Sequence, residues 1–182
     1  MKIFVTGGLG FIGSNYILSK IADSSTEILN YDKVTYAANL KNLSSISDKS
    51  NYHFIKGDIC DSKKLFESIN IFKPDVIINF AAESHVDRSI ESPMEFIKTN
   101  VLGTAVILEA SYKYYKSLFE KNSFRFLHIS TDEVFGELGD SGLFNEQTPY
   151  SPNSPYSASK ASSDHLVRAW YETFNLPILI SN

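Results

Sequence analysis

An apolar run, Lys2–Val5, passes without a break into Thr6-Gly7-Gly8-Leu9-Gly10-Phe11-Ile12-Gly13 and on into a helical pattern, Phe11–Ala22. A strand that turns into a helix through glycines leaves few architectures open. Gly8, Gly10 and Gly13 satisfy G-x-G-x-x-G, and Gly7, Gly10 and Gly13 satisfy G-x-x-G-x-x-G. Without Cβ atoms the chain can turn tightly and bring backbone N–H groups against a pyrophosphate at the positive end of the helix. Asp32 lies 19 residues past Gly13. A carboxylate there accepts hydrogen bonds from an adenosine ribose and repels a 2′-phosphate, which favours NAD over NADP. Lys33 beside it pulls the other way. A glycine turn followed by a surface aspartate is the plainer alternative, and the strand before and the helix after weigh against it.

The alternation continues along the chain. Short apolar runs read as strands at Lys2–Val5, Glu27–Tyr31, Tyr52–Ile55, Val76–Asn79, Phe124–Ile129 and Pro177–Ile180. Helical stretches fall near Phe11–Ala22, Lys63–Ile69, Pro93–Tyr115 and Tyr156–Phe174, with Pro93 in a first turn after Ser92 as N-cap. Strands spaced by helices predict βαβ units, and right-handed crossovers then give an α/β fold with a doubly wound parallel sheet of Rossmann type. Its crevice lies at the carboxyl ends of the strands. Two long loops, Asp32–Ser50 with one short helix and Gly136–Ser154, stand where sites are built. The last strand runs to the end of the chain, so residues 1–182 read as a single domain in which one wall of the crevice is missing.

Composition narrows the classes. The net charge of −4 offers no footprint for nucleic acid, and no apolar run reaches the roughly 18 residues that span a bilayer. The start of the chain shows no signal-peptide pattern, and Cys60, the one cysteine, rules out an internal disulfide. A soluble cytoplasmic domain is expected, with Cys60 a small buried side chain. His53, His85, His128 and His165 lack metal-ligand spacing, so no metal is expected. Tyr112-Lys113-Tyr114-Tyr115-Lys116 reads as packed tyrosines and helix-end lysines rather than a nucleic-acid strip.

The chemistry-bearing residues come late. Ser130-Thr131-Asp132-Glu133 is followed 23 residues after Glu133 by Tyr156-Ser157-Ala158-Ser159-Lys160. Tyr-x-x-x-Lys sets a phenol and an ammonium on one helix face, and the ammonium is expected to favour the phenolate, making Tyr156 a base. Two adjacent carboxylates beside it suggest that one pocket both removes a proton and protonates a leaving group. In a strand the two would point to opposite faces, so both reach one substrate only where the chain bends. Asp132-Glu133 also reads as a solvated strand end or a helix cap. Asp58, after the third strand, reads first as a helix cap and second as a reader of an adenine edge. Ala81 and Ala82 leave room for close backbone approach to a ligand, as ordinary loop residues also do.

With these motifs in order the chain resembles the extended short-chain dehydrogenase/reductase family, and within it the nucleotide-sugar 4,6-dehydratases. The resemblance covers the whole chain, through the glycine turn, Asp32-Lys33-Val34-Thr35-Tyr36, Gly57-Asp58-Ile59, Ala81-Ala82-Glu83-Ser84-His85-Val86-Asp87, Ser130-Thr131-Asp132-Glu133-Val134 and Tyr156-Ser157-Ala158-Ser159-Lys160. The glycine turn and Tyr-x-x-x-Lys mark the superfamily; Thr-Asp-Glu and Glu-Ser-His-Val-Asp are the narrow signals, and the sugar epimerases usually lack the acidic pair. Phe135 stands where the family often has tyrosine.

The resemblance implies that NAD is contacted by Gly7, Gly10, Phe11, Ile12, Gly13, Asp32, Lys33, Val34, Thr35, Asp58, Ile59, Ala81, Ala82, Ser84, Thr99, Tyr156 and Lys160. Ser84 and Thr131 are implied to touch the sugar, and Thr131, Asp132, Glu133, Tyr156 and Lys160 to be catalytic. The implied reaction converts a nucleoside-diphosphate glucose, dTDP-glucose first, to its 4-keto-6-deoxy sugar. Oxidation at carbon 4 is followed by loss of water across carbons 5 and 6 and hydride return to carbon 6. Tyr156 is the first base, Glu133 the second, and Asp132, held protonated, the acid. A homodimer through the two long helices is implied, as is a nucleotide-sugar-binding lobe outside these 182 residues. A UDP-sugar epimerase or decarboxylase and a noncatalytic NAD-binding fragment are the alternatives.

Overall fold

The central apolar runs of the sequence become strands because they are covered on both faces. In the computed structural model, which describes residues 1–121 and 123–182, the strands are β1 (Lys2–Thr6), β2 (Glu27–Asp32), β3 (Tyr52–Lys56), β4 (Val76–Asn79), β5 (Arg125–Ile129) and β6 (Ile178–Ser181). All pair in parallel, in the order β3-β2-β1-β4-β5-β6. Alternate residues of β1 show why the run is continuous. Phe4 packs with Leu29, Tyr31 and Ile77 beneath α2 (Ser62–Phe72), α5 (Gly103–Ser117) and α6 (Pro155–Phe174). Ile3 and Val5 pack on the other side with Ile17 and Ile21, in and just after α1 (Phe11–Lys20), and with Leu43 and Ile46. Both faces are therefore apolar, as a doubly wound sheet requires. The order reverses between β1 and β4, which opens a crevice at the carboxyl ends of those strands.

The expected short helix in the loop after β2 is a 3₁₀ helix, Leu40–Ile46. The long helix expected from Pro93 is one helical run in three parts: α4 (Pro93–Phe96), a π-helical segment (Ile97–Leu102) and α5. Pro93 sits in the first turn, but the Ser92 side chain makes no capping bond. A helix not foreseen from the sequence, α3 (Val86–Glu91), precedes it. Asp58 does not cap α2; Asp61 does, its side chain accepting from Lys64 N–H at 3.1 Å. Cys60 is half-buried rather than buried, its Sγ 3.3 Å from the Lys98 carbonyl. The tyrosines pack: Tyr112 lies 4.8 Å from the Phe174 ring, and Tyr114 OH donates to the Pro74 carbonyl at 3.1 Å. Among the described residues no helix is long and apolar enough to cross a membrane.

α6 is the best-defined helix start. Ser154 Oγ accepts from Ser157 N–H at 3.0 Å while Ser157 Oγ accepts from Ser154 N–H at 2.9 Å, and Pro155 occupies the first turn. The helix closes at Asn175, in the left-handed region at φ 55°. These two punctuation marks set the register in which Tyr156 and Lys160 face the crevice.

Candidate active site

A cleft of about 420 Å³ runs along the carboxyl edge of the sheet. Gly7, Gly10, Phe11, Ile12 and Gly13 line it from the first turn, and Asp32, Lys33 and Thr35 from the end of β2. Asp58 and Ile59 follow β3; Ala81, Ala82 and Ser84 follow β4; Thr99 comes from the π segment, and Tyr156 and Lys160 from α6. Val34 is the exception among the residues expected there. Its backbone turns through φ 60°, its N–H donates to Asp32 Oδ1 at 2.7 Å, and its side chain packs against the core below.

The glycines are required by contact. Gly7 has φ 70°, and a Cβ there would stand 2.6 Å from Ala81 N; one on Gly13 would stand 2.5 Å from Gly7 O. No side chain caps α1 and no acid sits in its first turn. Phe11 and Ile12, at that helix start, are 82% and 62% exposed. Unpartnered first-turn N–H groups at an open helix end suit a pyrophosphate.

The end of the cleft beside β2 and β3 is negative. Asp32 is buried, and its Oδ2 accepts from Leu9 N–H at 2.9 Å, so the carboxylate also holds the glycine turn in shape. Ionised oxygens have lone pairs for further donors. Lys33 does not act as a free cation here: its Nζ pairs with Asp58 Oδ2 at 2.8 Å. Asp58 Oδ1 accepts from Cys60 N–H at 2.9 Å, which fixes that side chain at the cleft wall.

At the other end Tyr156 and Lys160 are buried, 8% and 3% exposed. Lys160 Nζ donates to the Ile129 carbonyl at 2.6 Å and lies 3.5 Å from His128 Nε2. The expectation of an acidified phenol is not met. Burial pushes Tyr156 up, a hydrogen bond with Thr131 acts against this, and Glu133, Asp132 and Asp164 add to the rise. The lysine meanwhile is pulled down by burial to about 8. The ammonium is committed to a carbonyl, and the carboxylates dominate around the phenol.

Thr131, Asp132 and Glu133 stand beyond the residues that line the cleft. Thr131 caps a 3₁₀ turn, Asp132–Phe135, its Oγ1 accepting from Glu133 N–H at 3.3 Å. The chain therefore bends where the carboxylates need it to. Asp132 is exposed and Glu133 half-buried. Burial raises Glu133, with the Asp132 charge adding to it.

Other residues of the site escape sequence reasoning. Tyr36 OH donates to Glu83 Oε2 at 2.8 Å, and the Arg88 guanidinium lies 3.8 Å from the centre of the Tyr36 ring, tying the loops after β2 and β4 together. Asn100, in the π segment, accepts from Glu83 N–H at 2.8 Å and donates to the Glu83 carbonyl at 2.9 Å and to Ser159 Oγ at 2.8 Å. Lys98 and Thr99 directly before it make that stretch polar already, so no local pattern sets Asn100 apart. Ser130 also lines the cleft.

The family described as GDP-mannose 4,6 dehydratase matches residues 4–182. A dTDP-glucose 4,6-dehydratase from Xanthomonas campestris is 53% identical over 180 residues, covering 98% of this chain and 51% of that relative. A dTDP-glucose 4,6-dehydratase from Bacillus anthracis, solved in complex with NAD, superposes with a TM-score of 0.87 at 42% identity over 99% of this chain and 53% of its own. One from Streptomyces venezuelae, solved with NAD and dTDP bound, gives 0.89 at 40% identity over 99% and 54%. The chain thus spans about half the length of the curated relatives it matches.

Proposed function

The chain belongs to the GDP-mannose 4,6 dehydratase family, and from that premise we propose that it binds NAD and carries the catalytic residues of a dehydratase acting on a nucleoside-diphosphate glucose, dTDP-glucose first. One observation carries this: the turn Asp132–Phe135 sets two carboxylates beside Thr131 and Tyr156. Hydride transfer alone has no use for such a pair, whereas elimination of water needs a base and an acid.

The cleft fits NAD by its glycine cradle, its uncapped helix end and its negative adenosine end, where the one lysine is already paired. Gly7, Gly10, Gly13 and the first-turn amides would hold the pyrophosphate, Asp32 the adenosine ribose, and Asp58 and Ile59 the adenine side. Ala81, Ala82, Ser84, Thr99, Tyr156 and Lys160 would hold the nicotinamide half. NAD⁺, when bound, supplies the acceptor for a hydride from carbon 4 and its return to carbon 6. Tyr156 takes the proton of the 4-hydroxyl, with Thr131 hydrogen-bonded to the 4-oxygen. The resulting 4-ketone acidifies carbon 5. Glu133 then removes that proton, Asp132 protonates the departing 6-hydroxyl, and Glu133 gives its proton back to carbon 5 as carbon 6 is reduced. The upward pull on Glu133 makes it a better base than a free glutamate. We place the grip on the nucleotide in a lobe outside these 182 residues, and the enzyme in the cytoplasm as a homodimer through α5 and α6.

The test is a mass spectrum of products after incubating the natural-length protein with dTDP-glucose, UDP-glucose and NAD. Loss of one water from a single sugar is expected; both sugars unchanged would overturn the reading. Glu133→Gln is expected to cut water loss by about 100-fold or more and to leave oxidation at carbon 4 detectable as NADH absorbance. An epimerase would show no such separation.

A further inference from the structure

A carboxylate one helical turn behind Lys160 has no part in the reaction above. Asp164, on α6, is 2% exposed. Its Oδ2 accepts hydrogen bonds from Ser130 Oγ at 2.6 Å and from Tyr150 OH at 2.9 Å. Its Oδ1 is buried without a well-formed hydrogen bond, and His128 Nε2 stands 3.4 Å from it. The same Nε2 lies 3.5 Å from Lys160 Nζ.

The partners behind His128 decide which of its nitrogens bears the proton. Ala81 N–H donates to Thr6 Oγ1 at 3.4 Å, and Thr6 gives its single proton to Asn79 Oδ1 at 2.6 Å. The Asn79 amide nitrogen, a donor only, is thereby turned to His128 Nδ1 at 3.2 Å. Nδ1 is the acceptor. Burial pulls the imidazole down and keeps it neutral, so its one proton sits on Nε2. An Nε2–H cannot accept from Lys160, and the acceptor it meets is Asp164 Oδ1. Every donor from Ala81 to His128 is aligned toward that carboxylate, and such chains polarise one another.

We propose that Asp164 is the buried counter-ion of Lys160, a positioning residue that acts through the lysine by holding its ammonium charge behind Tyr156. Burial alone drives Lys160 toward the neutral amine, and the Asp164 charge opposes this. The groups facing the pair are His128 from β5, Tyr150 from the loop before α6 and Tyr156 from α6 itself, with Asp132 and Glu133 beyond it on the far side of the phenol. Glu133, Asp132 and Asp164 all bear on Tyr156, and the carboxylate that bears on Lys160 is Asp164. Without Asp164 the lysine would give up its proton more readily, and the positive charge beside Tyr156 would be lost at lower pH.

The inference rests on Tyr156 and Lys160 being the redox pair, but its test needs no turnover. Lysines labelled with ¹³C at Cε are titrated by NMR in the natural-length protein and in Asp164→Asn, with the Lys160 signal identified by its loss in Lys160→Met. Asparagine keeps the shape and an oxygen for Ser130 and Tyr150, and removes the charge. The Lys160 midpoint is expected to fall by about one pH unit or more, a tenfold or larger loss of proton affinity. An unmoved midpoint in folded Asp164→Asn overturns the proposal. Should that variant not fold, Lys160→Met/Asp164→Asn decides: it folds if the two charges offset each other, and failure overturns the proposal. A shifted midpoint in a protein that dehydrates no nucleotide sugar would sink the dehydratase reading and leave the counter-ion standing.

Discussion

Asp32 uses one carboxylate for two purposes. Its oxygens hold Leu9 N–H and Val34 N–H, and so fix the glycine turn to the end of β2. Its charge meanwhile faces the cleft beside β2 and β3. The two purposes separate by substitution. Asp32→Ala leaves two donors without their acceptor and should lower stability by about 1–3 kcal/mol. Asp32→Asn keeps an oxygen for Leu9, so it should lose less stability while preference for NAD over NADP weakens by about tenfold. Urea unfolding and fluorescence titration with each cofactor would check both; an Asp32→Asn protein that still rejects NADP would assign the discrimination elsewhere. Lys33 is not a rival in this, because its ammonium is spent on Asp58.

At the scale of elements, what is legible in sequence is what local pattern determines. β1, β2 and β4 show as continuous apolar runs because both faces of the sheet are covered there, and α6 shows through Tyr156 and Lys160, four residues apart on one helix face. The residues of the glycine turn and of Tyr-x-x-x-Lys reach one cleft for the same reason. α3 spans six residues, too few for a helical period to register. Asp58 looks like a cap from its position, yet Asp61 takes the bond because it stands three residues before Lys64, whose N–H it accepts. The raised Tyr156 and the donor chain through Asn79 and His128 depend on residues far apart in sequence, which no local pattern records. Asn100 is the case with most at stake. One side chain joins the loop after β4 to α6, and the backbone carbonyl of the same residue accepts from Ser163 Oγ at 2.6 Å. π segments often mark functional sites. Asn100→Ala should cost about 1–3 kcal/mol for each buried group left unpaired, with a larger loss of NAD affinity than Ser154→Ala. The latter removes only a cap, at about 1 kcal/mol. Equal effects on NAD binding would mean that Asn100 merely stabilises.

For the molecule as a whole, Lys160 sets a trade between site and stability that pH can expose. Its ammonium is held down at about 8 in the folded protein against an ordinary 10.5. Below pH 8 the lysine is charged in both states, and the folded protein bears the full penalty of burying it. Between about 8 and 10.5 the unfolded chain binds the extra proton, so stability rises with pH through that window. Above it the penalty is gone. Other groups titrate nearby in the opposite sense: burial pushes Cys60 up to about 11, and Tyr36 and Tyr150 up to about 12, so their contributions fade as pH rises. A comparison with Lys160→Met cancels these. From pH 7 to pH 10 the wild-type protein should gain roughly 2–3 kcal/mol relative to the variant, measured by urea unfolding at each pH. A difference that stays flat would show that Lys160 titrates like a surface lysine. The penalty of burial would then be fully offset in the folded protein, and Asp164 is the neighbouring carboxylate that opposes it.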